Sequence, residues 1–215
     1  MIAAITGLAA EAAIARRLGI PAQAGGGTPW GAELAAEAQV AAGATALLSF
    51  GLAGGLDPDL APGRIIVPIA VVEAGRIRPT NAALAERLGG WTGGMLCAGS
   101  EIAMFADEKA ALAKTTLCAA IDLESGAIAR VAERHGIAFA VLRAICDPAW
   151  RDLPPVAGLA LNDKGAVAIL RVAASLVRQP GQLPGLIALA RDAARARRAL
   201  VGRVDQLGVG FGSML

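Results

Sequence analysis

Short, almost wholly apolar runs alternate with segments of helical periodicity along most of this chain. Residues 2–6, 44–50, 65–72 and 138–145 are such runs, and each reads as a buried strand. Residues 119–123 read as the end of another. Between them the spacing predicts helices over 9–18, from 29 to about 42, and over 126–134, 162–177 and 186–204. Local punctuation agrees. Gly19 and Pro21 stop the first helix, Thr28-Pro29 supplies an N-cap with proline at the first helical position, and Gly43 and Gly136 close two helices. Gly25-Gly26-Gly27 forms a loop, the stretch from Gly51 to Gly55 is expected to break the preceding strand, and Asp57-Pro58 and Pro62-Gly63 are turns. Glycine-rich punctuation leaves residues 75–100 without an assignment.

Strands apolar on nearly every residue, alternating with helices, imply an α/β fold: a mixed, mainly parallel central sheet flanked by helices on both faces. No internal repeat or low-complexity linker divides the chain, so one domain over 1–215 is expected.

Composition narrows the chemistry. Hydrophobic residues make up 55% of the chain and aromatics 3%, with no Tyr, so the core must be aliphatic with many small residues at its contacts. The net charge of +2 offers no whole-chain footprint for nucleic acid. Three widely spaced cysteines, Cys97, Cys118 and Cys146, give neither a disulfide framework nor a zinc pair and read as buried free thiols. A single histidine, His135, excludes multi-histidine metal sites; beside Gly136 it reads as a helix C-terminal residue with no catalytic role. No metal and no cofactor are expected. The start of the chain lacks a basic segment before its apolar run, and Arg171 interrupts the best candidate span at 166–177. A cytoplasmic protein is the expectation.

In such sheets, sites form at the carboxyl ends of strands. Four segments there carry notable chemistry: Gly7 through Glu11, Gly51 through Gly55, Asp122-Leu123-Glu124-Ser125, and Cys146-Asp147-Pro148. On local sequence alone Asp147-Pro148 reads first as the opening of a turn, and as a desolvated acid second. Glu124 equally suits the positive end of a helix, and Glu11 a solvated helix face. The glycines permit close backbone approach to a ligand or simply a tight turn.

In this order and spacing the four segments resemble the nucleoside phosphorylase/nucleosidase superfamily, in its methylthioadenosine/S-adenosylhomocysteine nucleosidase branch, across roughly residues 2–175. Ser49-Phe50-Gly51-Leu52-Ala53-Gly54-Gly55-Leu56 with Pro62-Gly63-Arg64-Ile65-Ile66-Val67 is similar to the family's glycine-rich strand end. Asp122 through Ala129 looks like its helix start, and Phe139 through Asp147 like its late strand. The resemblance implies cleavage of the N-glycosidic bond of a purine nucleoside. Asp147 would be the general acid at purine N7, and Glu11 would orient or deprotonate the nucleophile. Glu124, with Leu123 and Asp122, would bind the ribose; Ala53, Gly54 and Gly55 would line the ligand; Ile102 would lie against the purine. Gly25, Gly26 and Gly27 would hold phosphate, the co-substrate of a phosphorylase. The resemblance also implies a homo-oligomer, a dimer. Four positions depart from the family: Leu52 replaces a serine that helps hold the nucleophile, Ser100 a frequent aspartate, and Ile102 and Phe105 occupy the stretch of purine-stacking aromatics.

A narrower resemblance, through the glycine loop, Ser49-Phe50-Gly51 and the Arg-rich tail, is to hopanoid-associated phosphorylases. It implies phosphorolysis of an adenosylated hopane lipid. Residues 183–204 form a basic amphipathic helix, which suits either peripheral contact with the inner membrane surface or an ordinary domain helix with a solvated arginine face. Two alternatives stand beside phosphorolysis: a hydrolytic methylthioadenosine-type nucleosidase, and a non-catalytic nucleoside- or lipid-binding protein on the same scaffold.

Overall fold

The computed structural model describes residues 1–155, 157, 180–208 and 211. The expected helix over 162–177 lies outside the described residues. Among those described, nine strands form one mixed sheet: β1 (Ile2–Thr6), β2 (Ala22–Ala24), β3 (Ala46–Gly55), β4 (Ile65–Ile66), β5 (Ala70–Glu73), β6 (Arg76–Pro79), β7 (Met95–Ala98), β8 (Cys118–Asp122) and β9 (Ala138–Asp147). Six α-helices accompany them: α1 (Ala9–Ala15), α2 (Pro29–Ala41), α3 (Ala82–Arg87), α4 (Ala106–Thr116), α5 (Ser125–His135) and α6 (Leu183–Leu207). The main path runs β2-β1-β3-β8-β7-β5-β6, with β9 paired to β3 and β4.

The sheet curls around β3. Its first residues lie parallel to β1 on one edge and to β9 on the other, while Gly54 and Gly55 pair antiparallel with Ile121 and Ala120 of β8. Both faces are covered, and alternation along the strands separates two cores. Ile2, Ala4, Leu48, Phe50, Leu142 and Ala144 face α1, α3 and α6. Ala3, Ile5, Leu47, Phe139, Val141 and Ile145 face α2 and α5. Alanines on the helices, such as Ala32, Ala35 and Ala36 of α2, let backbones approach closely, as the aliphatic composition required.

Two sequence expectations change. The strand ending at residue 50 instead continues to Gly55, because the glycines make room for side chains rather than turn the chain. A Cβ on Gly51 would fall 2.7 Å from Arg143 Nη1 and 2.9 Å from the Glu11 carboxyl. The run at 65–72 splits into β4 and β5 at Pro68, which has no N–H for a ladder; β4 then pairs with β9 and β5 with β7. The unassigned stretch holds a tight hairpin at Ala74-Gly75, both left-handed, followed by β6, α3 and β7. The expected helix over 9–18 ends as a 3-10 turn at Arg16–Leu18, closed by left-handed Gly19.

Helix α6 spans three residues beyond the expected end. Ala196, Leu200 and Val204, spaced four apart, are buried in the core beside β9, and Asp192 is buried in an ion pair with Arg151. Arg191, Arg195 and Arg198 are exposed. No helix among the described residues is long and apolar enough to cross a membrane.

Candidate active site

A cavity of about 230 Å³ opens at the carboxyl ends of β1, β3, β8 and β9. Its wall includes Glu11, Ala53, Gly54, Ile102, Asp122, Leu123, Glu124 and Asp147, so one site collects most of the residues singled out from sequence. Gly27 reaches the wall, whereas Gly25, Gly26 and Gly55 do not line it. Gly25 lies against the first turn of α2: its N–H is donated to the Thr6 carbonyl, and a Cβ on Gly31 would meet its oxygen. Gly55 is instead a β3–β8 pairing residue. Ile102 faces the cavity, but Phe105 is exposed and not among its lining residues. The described wall contains no aromatic side chain; Leu52, Ala103, Leu153 and Leu189 make much of it apolar.

At the heart of one side lies Arg143, fully buried in the middle of β9. Its Nη2 donates to Ser49 Oγ at 2.8 Å and Glu124 Oε2 at 3.0 Å, and lies 2.7 Å from Asp122 Oδ2; Nη1 donates to the Leu52 carbonyl at 3.1 Å. Burial works against its charge, but Asp122, Glu124 and Glu11 together push its pKa up. Asp122 also accepts the Ser125 N–H at 3.0 Å and the Ser125 hydroxyl, tying the start of α5 to the end of β8. Glu124 is thereby held at the helix N-terminus and Arg143 is fixed beside it.

Glu11 approaches from α1 across Gly7. Its Oε2 accepts the Leu8 N–H at 2.9 Å and its Oε1 accepts the Leu52 N–H at 3.2 Å. A Cβ on Gly7 would fall 2.6 Å from Glu124 Oε1, so only glycine lets β1 end this close to the carboxyls. Where the family resemblance expects a serine hydroxyl, Leu52 contributes through its backbone. Burial raises the pKa of Glu11, partly offset by Arg143 and the two N–H donors. Burial likewise pushes Glu124 from the ordinary 4.5 up to about 7, against the pull of Arg143.

That shift fixes a pH dependence of stability. The fold favours neutral Glu124, so its contribution is full below about 4.5 and is lost as pH rises through about 7. Thermal melting of wild type and Glu124→Gln across this window should show a decline in wild-type Tm that the variant lacks. Parallel Tm curves would contradict the burial argument.

Asp147 ends β9, but not as the lone desolvated acid its apolar strand suggested. Lys109 of α4, fully buried, donates to Asp147 Oδ2 at 2.6 Å and to the carbonyls of Arg151 at 3.0 Å and Pro148 at 3.2 Å. The Cys146 thiol donates to Asp147 Oδ1 at 3.3 Å; burial, then the neighbouring carboxylate, holds its pKa well above the ordinary value. Among the described residues no group of three or more His, Cys, Asp or Glu side chains is arranged to hold a metal ion. Cys97 and Cys118 are free and buried, and Cys146 is free and partly buried.

Sequence reasoning missed two residues. A signal for Arg143 was present, since a charge inside an otherwise apolar strand must find buried partners. Lys109 left none, since nothing in the local pattern around it marks a buried partner.

No family model matches the sequence, and no curated protein matches it. Solved structures resemble it along nearly its whole length. Futalosine hydrolase of Helicobacter pylori is 17% identical, aligns over 95% of this chain and 97% of its own, and has a TM-score of 0.68. A 5′-methylthioadenosine/S-adenosylhomocysteine nucleosidase of the same organism, solved with a pyrrolopyrimidine ligand carrying an alkynylthio group, is 15% identical over 95% and 97%, also at 0.68. S-adenosylhomocysteine nucleosidase of Streptococcus pyogenes, in complex with 5-methylthiotubericidin, is 16% identical over 97% of both chains at 0.65. The chain has the fold of these nucleosidases and of futalosine hydrolase.

Proposed function

We propose that this protein hydrolyses the N-glycosidic bond of a purine nucleoside, releasing adenine. The observation that carries the reading is the grouping of four buried carboxyls, Glu11, Asp122, Glu124 and Asp147, around one cavity at the strand ends. Breaking a ribosyl–purine bond builds positive charge on the sugar and negative charge on the base. Glu124 would accept the ribose hydroxyls and, with Glu11, face the cationic sugar. Water attacks C1′ as the C1′–N9 bond breaks. Glu11 takes the proton from water, and Asp147 delivers one to purine N7. Solved proteins of this fold carry nucleoside-like ligands, which supports the substrate class.

Water suits this cavity better than phosphate, the nucleophile that the sequence favoured. Among the described residues the two buried cations next to its acids, Arg143 in the wall and Lys109 behind Asp147, are already committed to carboxylates, and a phosphate dianion would enter a field dominated by acids. The apolar wall formed by Ala103, Leu153 and Leu189 supports a substrate with an apolar 5′ substituent. A membrane-lying role for α6 is not carried into the proposal, because Ala196, Leu200 and Val204 of its apolar stripe are buried in the core.

Glu124 supplies the test. Glu124→Gln should lower kcat/KM for ribosides about 10-fold or more while affecting 2′,3′-dideoxy analogues little, since a buried acceptor pair for two hydroxyls is weakened. In the wild type, kcat/KM should rise with pH toward about 7 as Glu124 ionises. Equal losses on both substrate classes would overturn the assignment.

A further inference from the structure

The ion pair of Lys109 has no place in the chemistry so far. An ammonium group that is fully buried costs several kcal/mol to desolvate unless its protons are taken up. Here each of its three protons finds an oxygen: Asp147 Oδ2 at 2.6 Å, the Arg151 carbonyl at 3.0 Å and the Pro148 carbonyl at 3.2 Å. Two of these acceptors belong to the segment that leaves β9, so the lysine clamps the carboxyl and the chain behind it together. Because Lys109 occupies Oδ2, the other oxygen, Oδ1, has among the described residues only the Cys146 thiol, a weak donor at 3.3 Å.

We propose that Lys109 is a positioning residue for Asp147: it fixes the carboxyl with Oδ1 toward the base that receives its proton. The inference rests on the proposed release of a purine base. Removing the ammonium frees the carboxyl to rotate away from the base. Among the described residues, the other charged or titratable groups around Asp147 are the Cys146 thiol beside it on β9 and, along the same cavity, Glu11 of α1, Asp122 and Glu124 before α5, Arg143 of β9, and Glu101, exposed on the loop before α4. The Arg151 side chain turns away to Asp192. None of these changes when Lys109 alone is replaced.

The experiment measures kcat and KM for adenine release by wild type, Lys109→Met and Lys109→Ala. The alanine variant is also assayed with added propylammonium, and separately with 1-propanol, which fills the space without charge. Both variants are expected to lose about 10- to 10²-fold in kcat near neutral pH, with a smaller change in KM. Propylammonium should return the alanine variant toward the wild-type kcat, and propanol should not. Using two variants and a rescue protects the test against misfolding of one protein. An unchanged kcat in the folded variants, or equal rescue by propanol, would overturn the proposal and leave Lys109 a packing residue. Failure of the underlying reading looks different: the wild type itself would release no base, or Asp147→Asn would release it at the wild-type rate.

Discussion

Replacing Asp147 by asparagine is expected to lower kcat for adenine release about 10²-fold or more while the fold is retained. Asparagine keeps an oxygen for Lys109, and the carbonyls of Pro148 and Arg151 remain in place, so the buried ammonium is not orphaned. What the amide cannot do is hand a proton to the leaving purine, which then departs as a poor anion. Substrates whose base leaves readily without protonation should be affected much less. Steady-state rates on adenosine and on a nucleoside with an activated leaving group separate these outcomes. A variant that turns over both at wild-type rates would remove Asp147 from the chemistry.

The largest effect on stability is expected from Arg143→Met. Methionine fills much of the space but leaves Asp122, Glu124 and Glu11 without their shared cation, and removes the anchors at Ser49 and the Leu52 carbonyl. Breaking a buried pair by deleting one partner costs about 3–5 kcal/mol. For a chain of this size that is a fall in Tm on the order of 10 °C. The sign of the pH dependence follows from the acids left behind. Burial already pushes Glu124 to about 7 and raises Glu11, so both are neutral at low pH, where the missing cation matters less. The Tm gap between variant and wild type should therefore widen from pH 5 to pH 8, and a gap independent of pH would contradict the charge argument.

The sequence made the architecture readable wherever hydrophobic period and punctuation agreed. The strand at β1, the proline-started α2 and the glycine-closed α5 fall close to their expected bounds. Legibility failed where tertiary packing decides the use of a residue. Gly51 looked like a strand breaker because sequence cannot show that Arg143 and Glu11 press against its Cα. Pro68 split one β-branched run because the two halves serve different neighbours. In the site, the alternation of elements located the strand ends from which Asp122, Glu124 and Asp147 reach one cavity, with Glu11 on the helix after β1. Of the cations, Arg143 left a signal as a charge inside an apolar strand, whereas Lys109 left none, because pairing across the fold leaves no local pattern. Lys109 is 38 residues from Asp147, on a helix that the sequence left unassigned.

The central claim is hydrolysis of a purine nucleoside at this cavity. It is tested most directly by following adenine release from 5′-methylthioadenosine and adenosine in phosphate-free buffer made with ¹⁸O-labelled water, with a parallel series containing phosphate. Release at the same rate is expected in both series, with one solvent oxygen at C1 of the freed sugar. Release that requires phosphate and yields a sugar 1-phosphate, or no release of base from either nucleoside, would contradict it.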